Sequence, residues 1–227
     1  MRDTFHDELD QIGSSLVEMT DLVGSAIRRA TSALLDADLQ MAEAVISADE
    51  EVDRLYHQTE QRAFDLLARQ QPVALDLRVI VAGLRMVADL ERMGDLAHHV
   101  AKIARMRYPA HAVPPELRST VLEMGQTAER IVAKAGSVIA DQDVAMAVEL
   151  EADDDVMDAL HRKLFMIVLS DSWEHGMEPA IDVTLLSRYY ERFADHAVSV
   201  ARRLVYLVTG EPPEALSGDL TAAVRER

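Results

Sequence analysis

The chain repeats itself, and that repetition limits its fold more than any other feature. Met19 and Met124 stand 105 residues apart, as do Ala30 and Ala135. At the same offset Asp36-Ala-Asp-Leu-Gln-Met-Ala42 aligns with Asp141-Gln-Asp-Val-Ala-Met-Ala147, and Asp49, Asp53 and Leu55 fall on Asp154, Asp158 and Leu160. Further along the offset drops to 100, and Glu91-Arg-Met-Gly-Asp95 lands on Glu191-Arg-Phe-Ala-Asp195. Matches held at a fixed offset on each side of one length change mark a duplicated structural unit. The drop places a loop five residues shorter in the second copy.

Each copy reads as three long helices. Apolar residues recur at helical spacing over about 4–35, then from an N-cap at Asp38 to about 69, then over about 75–106. Pro72 breaks the second helix from the third, because proline cannot continue the backbone ladder. The second copy gives helices over about 116–140, from a restart at Asp141-Gln-Asp143 to an end near Trp173-Glu-His-Gly176, and over about 179–209. Only 9 Gly and 7 Pro occur in 227 residues, against roughly 12% of both in average usage, and aromatics make up 4%. The expected fold is therefore all-α: two homologous three-helix bundles in tandem, six long helices, elongated. The boundaries fall at 1–107 for the first bundle, 108–115 for a Pro-rich linker, 116–210 for the second bundle and 211–227 for a flexible tail.

Several function classes drop out on composition. A formal net charge of −17 lacks the basic footprint that nucleic acid and anionic lipid demand. With no Cys there are no disulfides, thiol nucleophiles, zinc fingers or iron–sulfur ligands. No window approaches a membrane span, and MRDTFHDELDQIG carries charge where a signal peptide needs an apolar run, so the expected address is the cytoplasm. Gly-rich phosphate loops, a Gly-x-Ser-x-Gly elbow and His-Glu-x-x-His are missing as well.

The third helix carries a heptad seam of Val79, Gly83, Met86, Leu90, Met93, Ala97, Val100 and Ala104. The sixth repeats it with Leu186, Tyr190, Phe193, Ala197, Val200, Leu204 and Leu207. Glu91, Asp95 and His98 fall off that seam and are expected to point outward. Acid pairs at i, i+4 occur four times on matched helices: Asp49/Asp53, Glu91/Asp95, Asp154/Asp158 and Glu191/Asp195. Like charges at that spacing cost an isolated helix roughly 0.2–0.5 kcal/mol. Two readings follow. The acids form a solvated face, partly neutralised by Arg92 and Arg192, or they bind a hard or borderline cation such as Mg²⁺, Mn²⁺ or iron. His98, His99 and His196 stand close enough in sequence to complete a metal shell, and each is equally an ordinary polar histidine.

The Asp-rich starts of helices two and five, Gln-Gln-Pro-Val-Ala-x-Asp-Leu-Arg at 70–78, and the duplicated Glu91-Arg-Met-Gly-Asp95 and Glu191-Arg-Phe-Ala-Asp195-His196 resemble the PhoU family over about residues 1–210. The resemblance implies two PhoU domains in a cytoplasmic regulator of phosphate homeostasis. It also implies a non-catalytic adaptor between the high-affinity phosphate ABC transporter ATPase and a sensor histidine kinase. Such a protein represses the phosphate-starvation response and restrains uptake when phosphate is plentiful. The family's surface metal clusters carry over to Asp49, Asp53, Glu91, Asp95, Asp154, Asp158, Glu191 and Asp195, with a divalent or iron-type ion and no organic cofactor. A homodimer, reaching the membrane only through its partners, completes the expectation. A metal-carboxylate enzyme, either a di-metal oxidase or a hydrolase, is the alternative.

Overall fold

The computed structural model describes residues 2–210 apart from Gln142, so the expected tail over 211–227 lies outside the described residues. Six α-helices and no strand occur among them: α1 (Arg2–Asp36), α2 (Leu39–Gln70), α3 (Ala74–Arg107), α4 (Arg118–Asp141), α5 (Val144–Val168) and α6 (Met177–Thr209), with a short 3-10 turn at Pro115–Leu117. The all-α, six-helix reading holds. Asp38 caps α2 by accepting from the Met41 amide at 2.9 Å, and Asp143 caps α5 by accepting from Ala145 at 2.9 Å and Met146 at 3.2 Å. Each carboxylate satisfies amides that have no partner within the helix. Gln71 takes the left-handed conformation that ends α2, and Pro72 follows it.

The length difference between copies sits elsewhere than expected. Only 71–73 separate α2 from α3, whereas 169–176 separate α5 from α6. The second-copy loop is therefore longer, and the shortening falls on α5, which has 25 residues against 32 in α2. The helix ends at Val168 instead of near Gly176: Ser170 turns its amide and hydroxyl back to the Ile167 carbonyl, and Trp173 donates its indole N–H to the Gly176 carbonyl at 2.8 Å.

Within each copy the three helices pack on one another, and the copies then join side by side through α1 against α4 and α3 against α6. These four form the centre, while α2 and α5 flank it on opposite sides. One continuous apolar core runs through both copies, from Ile12, Met19 and Ile27 through Leu90 and Met93 to Val132, Tyr190 and Phe193. The residues between α3 and α4 join that core too, with Ala112 and Val113 buried.

The α1–α4 seam is antiparallel and close. A Cβ on Gly125 would come within 2.5 Å of Thr31, one on Gly136 within 2.6 Å of Thr20, and one on Gly24 within 3.2 Å of Val132. At the 105-residue offset Gly125 is the counterpart of Thr20, and Gly136 of Thr31. The two crossings therefore exchange roles across a pseudo-two-fold axis, the arrangement of an isologous interface within a single chain.

Candidate functional site

The four acid pairs gather into two patches, one where α2 meets α3 and one where α5 meets α6. On α2, Asp49 and Asp53 lie one turn apart; on α3, Glu91 and Asp95 do the same. Gly94, between those two acids, lets α2 approach, since a Cβ there would stand 3.1 Å from the Asp49 Oδ1 and 3.2 Å from Val52. The acids do not all point into solvent as the heptad reading expects. Asp49, Glu91 and Glu191 keep only 14%, 21% and 13% of their side-chain surface exposed. A heptad seam assumes one neighbour, whereas α3 packs against α1, α2 and α6, so the positions beside the seam are covered by α2.

In the first patch, His98 on α3 shares a 2.5 Å Nδ1–Oδ2 hydrogen bond with Asp49. Arg92 donates to Asp95 at 2.8 Å and lies 3.4 Å from Glu91. Burial raises the Asp49 carboxyl above its ordinary range, opposed by His98 and assisted by Asp53 and Asp95. Glu91 is raised by burial first and by Asp95 next, with Arg92 opposing and Asp53 and Asp49 adding to the rise. The four carboxylates therefore act on one another as a single patch of like charge.

The second patch has no such histidine: Val198 stands at the position of His98 and is buried. The Asp154 carboxyl is pushed up to about 7, by burial and then by Asp195, Asp158 and Asp155, with Arg202 opposing. Burial also raises Glu191 and Asp195. Arg188 holds one Glu191 oxygen, while the other, Oε2, is buried without a hydrogen-bond partner.

The other histidines beside the acid pairs make no hydrogen bond to an acid side chain of the patches, although the charge of His161 and His196 opposes the rise of Glu191 and Asp195. His196 Nδ1 lies 3.0 Å from Asp89 Oδ1, and Arg203 donates to the same carboxylate at 2.9 Å, which ties α6 to α3 across the two copies. His99 turns its Nδ1 to the Asp95 carbonyl at 2.6 Å and stacks near Tyr189. Sequence reading also misses the cluster of Arg107 with Asp182 and Glu178, in which Asp182 is 2% exposed. Its members are 71 and 75 residues apart and have no counterpart in the other copy, so neither periodicity nor repetition signals them.

Among the described residues no three Asp, Glu or His side chains are drawn together tightly enough to hold a metal ion. The donor chemistry nonetheless suits one. Each patch offers four carboxylates that repel one another and are partly desolvated, and a hard cation relieves both penalties. The unpartnered Oε2 of Glu191 is a donor atom with nothing else to satisfy it.

A family model described as the PhoU domain matches residues 16–104 and again 121–204. The chain is 50% identical over 213 residues to the phosphate-specific transport system accessory protein PhoU homolog 2 of Mycobacterium tuberculosis, covering 94% of this chain and 100% of that protein. It is 47% identical to PhoU homolog 1 of Mycobacterium leprae, over 94% of this chain and 96% of that one. Among solved structures, PhoU from Pseudomonas aeruginosa superposes with a TM-score of 0.82 at 29% identity, covering 91% of this chain and all of that one. The phosphate transport system regulatory protein PhoU from Streptococcus pneumoniae gives 0.81 at 26% identity, covering 91% and 98%. A duplicated three-helix unit with its acid pairs matched in both copies, a fold shared with solved members and a family match in each half make this chain a member of the PhoU family.

Proposed function

We propose that this chain is a cytoplasmic regulator of phosphate homeostasis, an adaptor without catalysis of its own. It links the ATPase of a high-affinity phosphate ABC transporter to a sensor histidine kinase, restraining uptake and the starvation response when phosphate is plentiful. The observation that carries this reading is the likeness over 94% of the chain to proteins named as accessory to phosphate-specific transport. Coupling of this kind requires that the adaptor bind one state of its partners better than another. Long helical faces that keep their shape suit that task, and the chain works as a homodimer. In the first patch Asp49, Asp53, Glu91 and Asp95 would hold a divalent or iron-type ion; in the second, Asp154, Asp158, Glu191 and Asp195 would do so. When bound, the ion supplies positive charge that holds together helices whose facing acids repel. No organic cofactor enters this scheme.

Capture of the tagged protein from phosphate-replete and from starved cells, with partners identified by mass spectrometry and metal content read on the same samples, tests the reading. Phosphate-dependent recovery of the transporter ATPase or of a histidine kinase is the expected result. Absence of both, together with stoichiometric iron or manganese and turnover, would overturn it in favour of a metalloenzyme.

A further inference from the structure

A groove of about 280 Å³, with none of the eight patch carboxylates in its lining, opens between the start of α3 and the end of α6. Leu77, Val81 and Ala82 are among its apolar lining, with Leu77 and Val81 still 40% and 39% exposed. Three arginines, Arg78, Arg85 and Arg203, ring it, on a chain whose net charge is −17. Arg78 lies 5.3 Å from the Tyr206 ring centre, and Arg203 is engaged with Asp89. Arg85 is exposed and has no ion-pair partner among the described residues. An apolar floor under a cationic rim fits a segment that is both acidic and apolar.

The chain leaves α6 beside this groove. Gly210 ends the helix in the left-handed conformation, with φ of 82°, and a Cβ on it would stand 3.0 Å from the Arg78 guanidinium. Seventeen residues follow, and the first ten read Glu211-Pro-Pro-Glu-Ala-Leu-Ser-Gly-Asp-Leu220, with three carboxylates and no cation. Along α3, Arg85 lies about 10 Å beyond Arg78, at 1.5 Å of rise per residue. Four extended residues cover that distance at ~3.3 Å each. We propose that residues 211–220 of this same chain cover the groove, with Glu211 and Glu214 against Arg78 and Arg85 and Leu216 over Leu77 and Val81. An acidic partner segment seeking the groove would then have to displace this cover.

Because the chain has no Cys, one engineered thiol reports the cover directly. Leu77→Cys is made in the full chain and in a chain ending at Gly210, and the rate of thiol alkylation is measured in each. The full chain is expected to react on the order of threefold to tenfold more slowly, the range for a cover closed most of the time. Adding Glu211→Lys and Glu214→Lys, or raising salt to about 0.5 M, should bring the full chain to the rate of the truncated one. Leu185→Cys, at an equally exposed position of α6 outside the groove lining, should react alike at both lengths and so reports that truncation leaves the fold intact. Equal rates at position 77 in both lengths overturn the proposal. Protection that disappears on dilution overturns it too, by assigning the groove to a second molecule.

Discussion

At the scale of single residues, one difference between the two acid patches removes a hydrogen bond. His98 gives Asp49 a hydrogen-bonded partner, and Val198 leaves Asp154 without one. Burial, then Asp195, Asp158 and Asp155, raise the Asp154 carboxyl from 3.8 to about 7, with no hydrogen-bonded histidine to oppose them. In the folded chain it binds a proton more tightly than in the unfolded chain, so stability is greatest below about pH 4 on this account and falls as pH rises through 7. Asp154→Asn removes the repulsion. At about pH 8 it should stabilise the metal-free protein by about 1–2 kcal/mol, a figure discounted for the screening of a half-exposed carboxylate. The gap should close on acidification, and thermal melts of the two proteins across pH measure it. A cation does what the proton does. After treatment with a chelator, adding about 1 mM Mn²⁺ should raise the melting temperature of the parent by a few degrees and that of the quadruple variant D154N/D158N/E191Q/D195N much less.

At the scale of helices, the α1–α4 seam depends on absent methyl groups. Gly125 and Gly136 cost α4 about 1 kcal/mol each in intrinsic helix propensity relative to alanine. They are required because α1 lies so close: a Cβ on Gly125 would meet both branches of Thr31 at 2.5 Å. Thr31 cannot turn aside freely, since its hydroxyl donates to the Ile27 carbonyl at 2.8 Å and pairs with the Tyr190 hydroxyl at 2.7 Å. Gly125→Ala should therefore destabilise by about 1–3 kcal/mol despite its propensity gain. Thr31→Ala should cost about as much, by leaving the buried Tyr190 hydroxyl without its partner. The double variant should cost less than the sum of the two, because the clash needs both side chains, and urea unfolding of the four proteins reads that coupling. Helix periods, Asp caps and the seams were legible in the sequence because each depends on neighbours within one helix. Burial of Glu91 and Glu191 was not, since it depends on how many other helices touch α3 and α6. The shortening of α5 was likewise hidden: an offset records how many residues are missing and not whether a helix or a loop lost them.

At the scale of the molecule, the duplication supplies a self-complementary interface and the sequence then makes it unsymmetrical. Every tight α1–α4 crossing at these positions pairs one Thr with one Gly: Thr20 with Gly136 and Thr31 with Gly125. Two copies of the first half alone would bring Thr20 and Thr31 against each other at a separation that does not admit a Cβ beside a threonine. Two copies of the second half would set Gly125 against Gly136 and leave a void, which costs stability as surely as overlap does. The α3–α6 contacts add the same preference, because Asp89 of the first half takes both His196 and Arg203 of the second, and Arg107 of the first takes Asp182. These pairs span from 75 to 114 residues and are invisible to a search for repeats, which reports only what the halves share. Residues 1–110 and 111–227 made as separate chains should therefore bind each other in preference to themselves. Light scattering after size exclusion should show a one-to-one complex from the mixture and poorly soluble or weakly associating species from either half alone. Thr20→Gly alone in the first half should relax that choice, giving stronger self-association of the variant half, because each crossing between two such copies then sets one glycine against Thr31, the pairing that Gly125 makes with Thr31 in the whole chain.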